Sequence, residues 1–249
     1  MPPRERALRF YALHAGLPAL VAIGVLGVFE TTNLDVRIED LFYDPVAQQF
    51  PLRIHSLFET VFHDFGRVTV ILLGVALLGA VLWSFRRPSL RRWRRGFLYA
   101  ALCLAAGPVL VAQIKHRSVI HCPDDLERYG GDQPYVRLFD PVPAGVEPGH
   151  CWPGGHSSGG FAMMSLYFVF RRARPRLALA WLAGGFLYGF GLGMSRVVQG
   201  AHFVSHNLWA ALLCWTVALV LYELVLRRHC DRSASAERTL RVQQPVEPG

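Results

Sequence analysis

Apolar residues in this chain gather into six long blocks, separated by polar and charged segments. The blocks cover about 11–29, 68–85, 97–114, 159–170, 177–194 and 208–226. A helix needs roughly 20 apolar residues to cross the hydrocarbon. It suits that environment because its backbone hydrogen bonds close within the segment. Five blocks approach that length. The fourth reaches it only if Ser157, Ser158 and part of the basic run 171–176 are counted. The pattern predicts an all-α polytopic membrane protein, a six-transmembrane-helix bundle with an extracytoplasmic active-site loop. Six helices consume residues 1–226 as one domain, leaving 227–249 as a polar tail predicted to be disordered. The first block is too long, and too poor in small residues at its end, to suit a removable signal peptide.

The polar segments carry their own signals. Residues 55–63 mix apolar and polar positions at near-helical spacing. That reads as a helix on the membrane interface, with His55 or His63 as substrate contacts in the alternative. Residues 115–156 form the longest loop, rich in Gly, Pro, Asp and Tyr, and loops of that length are commonly functional.

Charge then orients the bundle. The formal net charge is +8, and the basic residues cluster at 4–9, 86–95, 171–176 and 227–241. With six spans all four clusters share one side, which the excess of Arg makes cytoplasmic together with both termini. The opposite connections hold most of the acids, among them Asp35, Glu39, Asp40, Asp124, Asp125 and Asp140. The positive charge is therefore a topology signal of an inner-membrane protein, and no nucleic-acid partner is implied. Cys103 and Cys214 lie inside apolar blocks as small buried hydrophobes. Cys122 and Cys151 fall on the extracytoplasmic side, where an oxidising compartment permits a disulfide across a loop of about 30 residues. No spacing matches a metal site, and neither metal nor cofactor is assigned.

The candidate chemistry sits at helix ends. Lys115, the only lysine of the chain, closes the third block. Pro153, Gly154, Gly155 and His156 open the fourth; Ser195 and Arg196 close the fifth, and His202 precedes the sixth. Cations grip phosphate oxygens, glycine amides at a helix start approach anions closely, and two histidines can serve as nucleophile and proton donor. On the expected topology all of them lie on the extracytoplasmic face.

In order and spacing these segments resemble the type 2 phosphatidic acid phosphatase superfamily, whose signature reads K-x6-R-P, then P-S-G-H, then S-R-x5-H-x3-D. Here they read Lys115-x6-Cys122-Pro123, then Pro153-Gly154-Gly155-His156, then Ser195-Arg196-x5-His202-x3-His206. The resemblance implies a six-helix bundle and metal-free hydrolysis of a phosphate ester through a phosphohistidine. His202 is then the nucleophile and His156 the general acid. Lys115, Arg196, Gly154, Gly155, Ser157 and Ser195 bind the phosphoryl group. The implied partner is a phosphorylated membrane lipid. The oligomeric state is left open.

Three positions depart from that pattern. Cys122 replaces an arginine, and Arg117 or Arg128 are candidate substitutes. Gly154 replaces a serine. His206 replaces the aspartate that would orient His202, and Asp124, Asp125, Asp140 or Asn207 are candidate replacements. Two rivals to hydrolysis follow: a lipid phosphotransferase using the same intermediate, and a catalytically impaired lipid-phosphate binder or transporter.

Overall fold

The computed structural model describes residues 3–53 and 66–227. The expected interfacial helix over 55–63, with His55 and His63, and the tail from 228 onward lie outside the described residues. Among those residues the protein is all-helical, with no β-strand. Five helices are long and apolar enough to cross a membrane. They are α1 (Arg4–Thr31), α3 (Gly66–Trp83), α4 (Arg94–Lys115), α7 (Pro175–Val197) and the helix that begins at Val204 and runs to Arg227. The α-helical part of the last is α8 (Val204–Leu221), continued by a π-helical turn, Tyr222–Arg227. A short α2 (Leu34–Glu39) follows α1.

The fourth apolar block is not among these five. It folds as α5 (Gly155–Ala162), a 3-10 turn (Met163–Ser165) and α6 (Leu166–Phe170), and no part reaches spanning length as one helix. Its position explains why. Gly160, Phe161, Ala162, Met164, Ser165, Leu166 and Phe168 are all buried, so this segment is the packed centre of the bundle. In lipid such packing depends on close fit, because helix association gains little from hiding apolar surface. Gly160 and Gly189 supply the fit between α5 and α7: a Cβ on Gly160 would lie 2.5 Å from the Gly189 Cα. Tyr99 on α4, fully buried, donates to the Ala218 carbonyl of α8 at 2.8 Å and ties a third helix to the same core.

The two ends of the bundle differ in chemistry. At one end Arg171 lies over the Phe10 ring and bonds the Tyr222 hydroxyl at 3.0 Å, while Arg227 lies over Phe10 and Tyr11. Trp93 packs on Phe170, and Arg94 bonds Ser84, so the ends of α3 and α6 and the start of α4 join the same basic end. At the other end Asp35 of α2 accepts from the Ser205 amide at 3.0 Å and from its hydroxyl, capping α8. Arg128 pairs with Asp40 through two hydrogen bonds of 2.7 and 2.8 Å, and Arg137 reaches the Glu30 carbonyl. Lys115, Gly155, Arg196 and His202 all belong to this acidic end.

Candidate active site

The site is assembled from the end of α4, the start of α5 and the turn joining α7 to α8. That turn needs Gly200, whose φ is +74°; a Cβ there would also strike the Phe50 ring. The Ala201 amide bonds back to the Arg196 carbonyl at 2.9 Å, closing the turn and setting His202 just outside α8. The Gly200 carbonyl accepts from the Asp124 amide at 2.9 Å, which fastens the segment after Lys115 to this turn.

His202 is 3% exposed. Its pKa is depressed well below the usual imidazole value, first by burial and then by the positive field of Lys115, with His206, His156 and Arg196 contributing. The four groups acting on His202 are thus all expected site residues, drawn from three separate segments. At neutral pH the ring is neutral, as a nucleophile must be. Its Nδ1 lies 3.3 Å from the Cys151 Sγ. Among the described residues its Nε2 makes no hydrogen bond.

Lys115 and His156 both line a cavity of about 430 Å³ that extends past Arg67, Val70 and Ile71 to Leu104 and Pro108. Leu104 precedes Lys115 by three turns of α4, so the cavity reaches about 16 Å down the helix. Lys115 also stands against the start of α5, its Nζ 4.0 Å from where a Gly155 Cβ would be. Arg196 donates to Gln199 at 2.8 Å, Gln199 bonds the Arg53 carbonyl, and Arg53 pairs with Asp124 at 2.8 Å.

The remaining expected residues serve the frame. Ser157 turns its hydroxyl back to the Gly154 carbonyl at 3.0 Å, and Ser195 turns its own to Leu192 at 2.7 Å. Gly154 donates its amide to the His206 carbonyl at 2.9 Å. The glycine in place of serine has a steric reason, since a Cβ at 154 would lie 2.5 Å from the Asn207 Oδ1. His206 is buried, with its ring 5.8 Å from that of His202 in an edge-on contact, and its Nδ1 makes no hydrogen bond among the described residues.

The candidate substitutes for the missing charges are engaged elsewhere. Arg128 is paired with Asp40, and Arg117 lines a separate cavity with Ser118 and Trp152. Asp125 accepts from the Cys122 amide, Asp140 from the Arg137 amide and Asp124 from Arg53. The Oδ1 of Asn207 is buried without a hydrogen bond. No carboxylate among the described residues hydrogen-bonds His202. Sequence reasoning missed two cations that no motif contains: Arg53, which pairs with Asp124, and Arg67, which lines the cavity with Lys115 and His156.

Cys122 and Cys151 form a disulfide with Cα atoms 5.2 Å apart. The segments leading into it are joined by backbone hydrogen bonds, the Cys151 amide donating to Ile120 and the His150 amide to Ser118, each at 2.9 Å. Cys103 and Cys214 remain buried free thiols, as expected.

Known proteins point the same way. The chain is 26% identical over 205 residues to the lipid A 4'-phosphatase of Francisella tularensis subsp. novicida (strain U112), an alignment covering 79% of this chain and 88% of that protein. No solved structure matches. The family model described as the PAP2 superfamily matches residues 96–230, which contain all three motif segments and both cysteines of the bridge. The chain belongs to the PAP2 superfamily.

Proposed function

We propose that this protein is an integral-membrane lipid phosphatase that hydrolyses a lipid phosphomonoester or diphosphate through a phosphohistidine. The reading is supported by Lys115 and His156 lining one cavity, and by the positive field of Lys115, with His206, His156 and Arg196, that holds the pKa of the buried His202 ring low. The cavity explains the substrate class. It holds Lys115, Arg67 and His156 together with the apolar side chains of Val70, Ile71, Leu104 and Pro108, as a phosphate on an acyl-bearing lipid requires. The substrate named for the Francisella relative, lipid A, fits that description and is the first to test.

In the first step the Nε2 lone pair of His202 attacks phosphorus and the bond to the leaving oxygen breaks. Protonated His156 gives its proton to that oxygen. Lys115, Arg196 and the amides at the start of α5 offset the charge gathering on the phosphoryl oxygens. In the second step His156 takes a proton from water, whose oxygen attacks phosphorus. The N–P bond breaks and inorganic phosphate leaves. No step calls for a metal ion.

The topology belongs to the same proposal. The basic end faces the cytoplasm with both termini, the acidic end and its site face the extracytoplasmic side, and the central segment 155–170 completes a sixth pass with Arg171 and its neighbours. The rival of binding without turnover draws on the lack of a carboxylate on His202. Purified protein with a lipid A or phosphatidic acid labelled on its phosphate separates the readings. Release of labelled phosphate, with an acid-labile label on the protein that is absent in His202→Ala, is the expected result. Binding with no release, or equal release by His202→Ala, overturns it. Transfer of the label to a second lipid would mark a phosphotransferase.

A further inference from the structure

In this chain the partner of the His202 Nδ1 is a sulfur, where the family signature has a carboxylate. The Cys151 Sγ lies 3.3 Å from that nitrogen and 3.3 Å from the Ala201 carbonyl, and Cys151 is fully buried. Nothing else among the described residues bonds either ring nitrogen. The contact is braced by the Cys151 amide, which donates to the Ile120 carbonyl at 2.9 Å, and by the bond from Cys151 to Cys122. We infer that Cys151 is the positioning residue for His202, and that the Cys122–Cys151 disulfide sets the tautomer of that ring. The inference rests on the phosphohistidine reading above for its consequence, but not for its geometry.

The argument is one of proton counting. A disulfide sulfur carries no hydrogen and offers only lone pairs. A nitrogen lone pair aimed at it at this distance would be repelled, so the proton of a neutral imidazole sits on Nδ1 and points at sulfur. That leaves the lone pair on Nε2, the nitrogen free to attack phosphorus. Reduction changes the count. A Cys151 thiol can donate its S–H to Nδ1, which moves the ring proton to Nε2 and removes the nucleophilic lone pair. If the thiol proton passes to the ring completely, the imidazolium has no lone pair at all. A thiol turned to the Ala201 carbonyl, 3.3 Å away, competes with that arrangement, and a thiolate accepts from Nδ1–H as the family's carboxylate does.

The ring would therefore lose its fixed tautomer in a reduced chain, with a fall in activity, and regain both on oxidation. The exchange has a route, because Cys122 is only partly buried while Cys151 is enclosed. The Cys122 thiolate attacks an external disulfide and releases one of its thiols. Cys151 then attacks the Cys122 sulfur and releases the second thiol, so that the two cysteine protons end on the two released thiols. The external disulfide takes the two electrons.

The test compares oxidised wild type, Cys122→Ser, which keeps a free Cys151, and the double variant Cys122→Ser/Cys151→Ser. Melting of each detergent-solubilised protein is followed alongside phosphate release. Expected is a loss in kcat of at least about tenfold for Cys122→Ser near pH 7, at a temperature where the protein remains folded. That loss should shrink at alkaline pH as the thiol ionises, with no such recovery in the double variant. Ring-nitrogen shifts in protein labelled with ¹⁵N-histidine read the tautomer without any substrate. They should place the His202 proton on Nδ1 in the oxidised protein and off Nδ1-only in the reduced one. Wild-type kcat in Cys122→Ser overturns the inference, as do equal, pH-independent losses in both variants that track melting. Unchanged histidine shifts on reduction overturn it even if the protein proves to have no phosphatase activity. The expected shifts without turnover would spare the geometry and sink only the phosphatase reading.

Discussion

Two histidines are buried almost equally, His14 at 5% exposure and His202 at 3%, yet they sit in opposite surroundings. The ring of His14 bonds the Phe10 carbonyl and the Tyr167 hydroxyl, each at 2.8 Å, and stacks on Phe10 with centroids 4.3 Å apart. Both nitrogens are used, and aromatic rings from α6 and α8 enclose it. His202 faces a sulfur on one side, and two cations and two further histidines act on it. Burial is thus no mark of chemistry. What separates the two is an uncommitted nitrogen held in a field of positive charge.

The largest expected effect breaks the comparison outright. His202→Ala should lower phosphate release by at least about 10³-fold, whereas His14→Ala should keep kcat within about twofold and lose about 2 kcal/mol of stability. Phosphate assays and thermal melts on both variants check it, and a His14→Ala enzyme with intact stability and lost turnover would reverse the assignment. Next come the cations around His202. Lys115→Ala and Arg196→Ala should each cost about 10²–10³-fold in kcat/KM, while Arg171→Ala at the opposite end should cost little. A Lys115→Ala enzyme near wild-type activity would remove Lys115 from the phosphate site.

A smaller effect concerns pH. The folded pKa of His202 lies well below 6.5, so below the unfolded value the unfolded chain binds the extra proton. Stability is therefore fully present above about pH 6.5 and declines as the pH falls beneath it. Melting temperature should drop between pH 7.5 and 5.5, and His202→Gln should flatten that slope. An identical slope in the variant would show that His202 is not the buried neutral group.

The smallest prediction moves to a carboxyl. Glu39 is fully buried with neither oxygen hydrogen-bonded, and its pKa is pushed up to about 10 by burial, with Asp35, Asp124 and Asp40 adding to the rise. The folded state holds the proton that the unfolded chain releases above about pH 4.5, so stability from this group declines as pH rises from there towards 10. Glu39→Gln, already neutral, should melt about 2–5 °C higher at pH 8 and show no gain at pH 4. Lower melting at pH 8 would mean that Glu39 is held as a charged, partnered group.

Much of the site was legible because its residues stand where local patterns end. Lys115, His156 and Arg196 each lie at the mouth of an apolar helix, and helix ends can be placed from hydropathy alone. The disulfide was legible from two cysteines on one expected face. Its contact with His202 was not, because 51 residues separate Cys151 from that ring and only the folded path brings them together. The same holds for Asp35, which caps α8 at Ser205 from 170 residues away, and for Arg53, which no motif contains. The fourth block was legible only in part: its small and aromatic residues read as a short span, and the fold adds that most of them are buried at the centre of the bundle.

The amino-acid order by itself determined the helices, their grouping by charge and the three segments that match the family's motifs. These follow from residue type and short-range spacing, since the hydrocarbon demands apolar runs and helix ends expose polar groups. The tertiary structure alone decided what touches what: that the central segment is enclosed, that Gly154 has no room for a serine, and that a sulfur meets the His202 Nδ1. Those outcomes depend on close approach between segments distant in sequence. A local pattern can call for such an approach but cannot place its atoms, because van der Waals fit and hydrogen-bond direction act over a few ångströms in three dimensions.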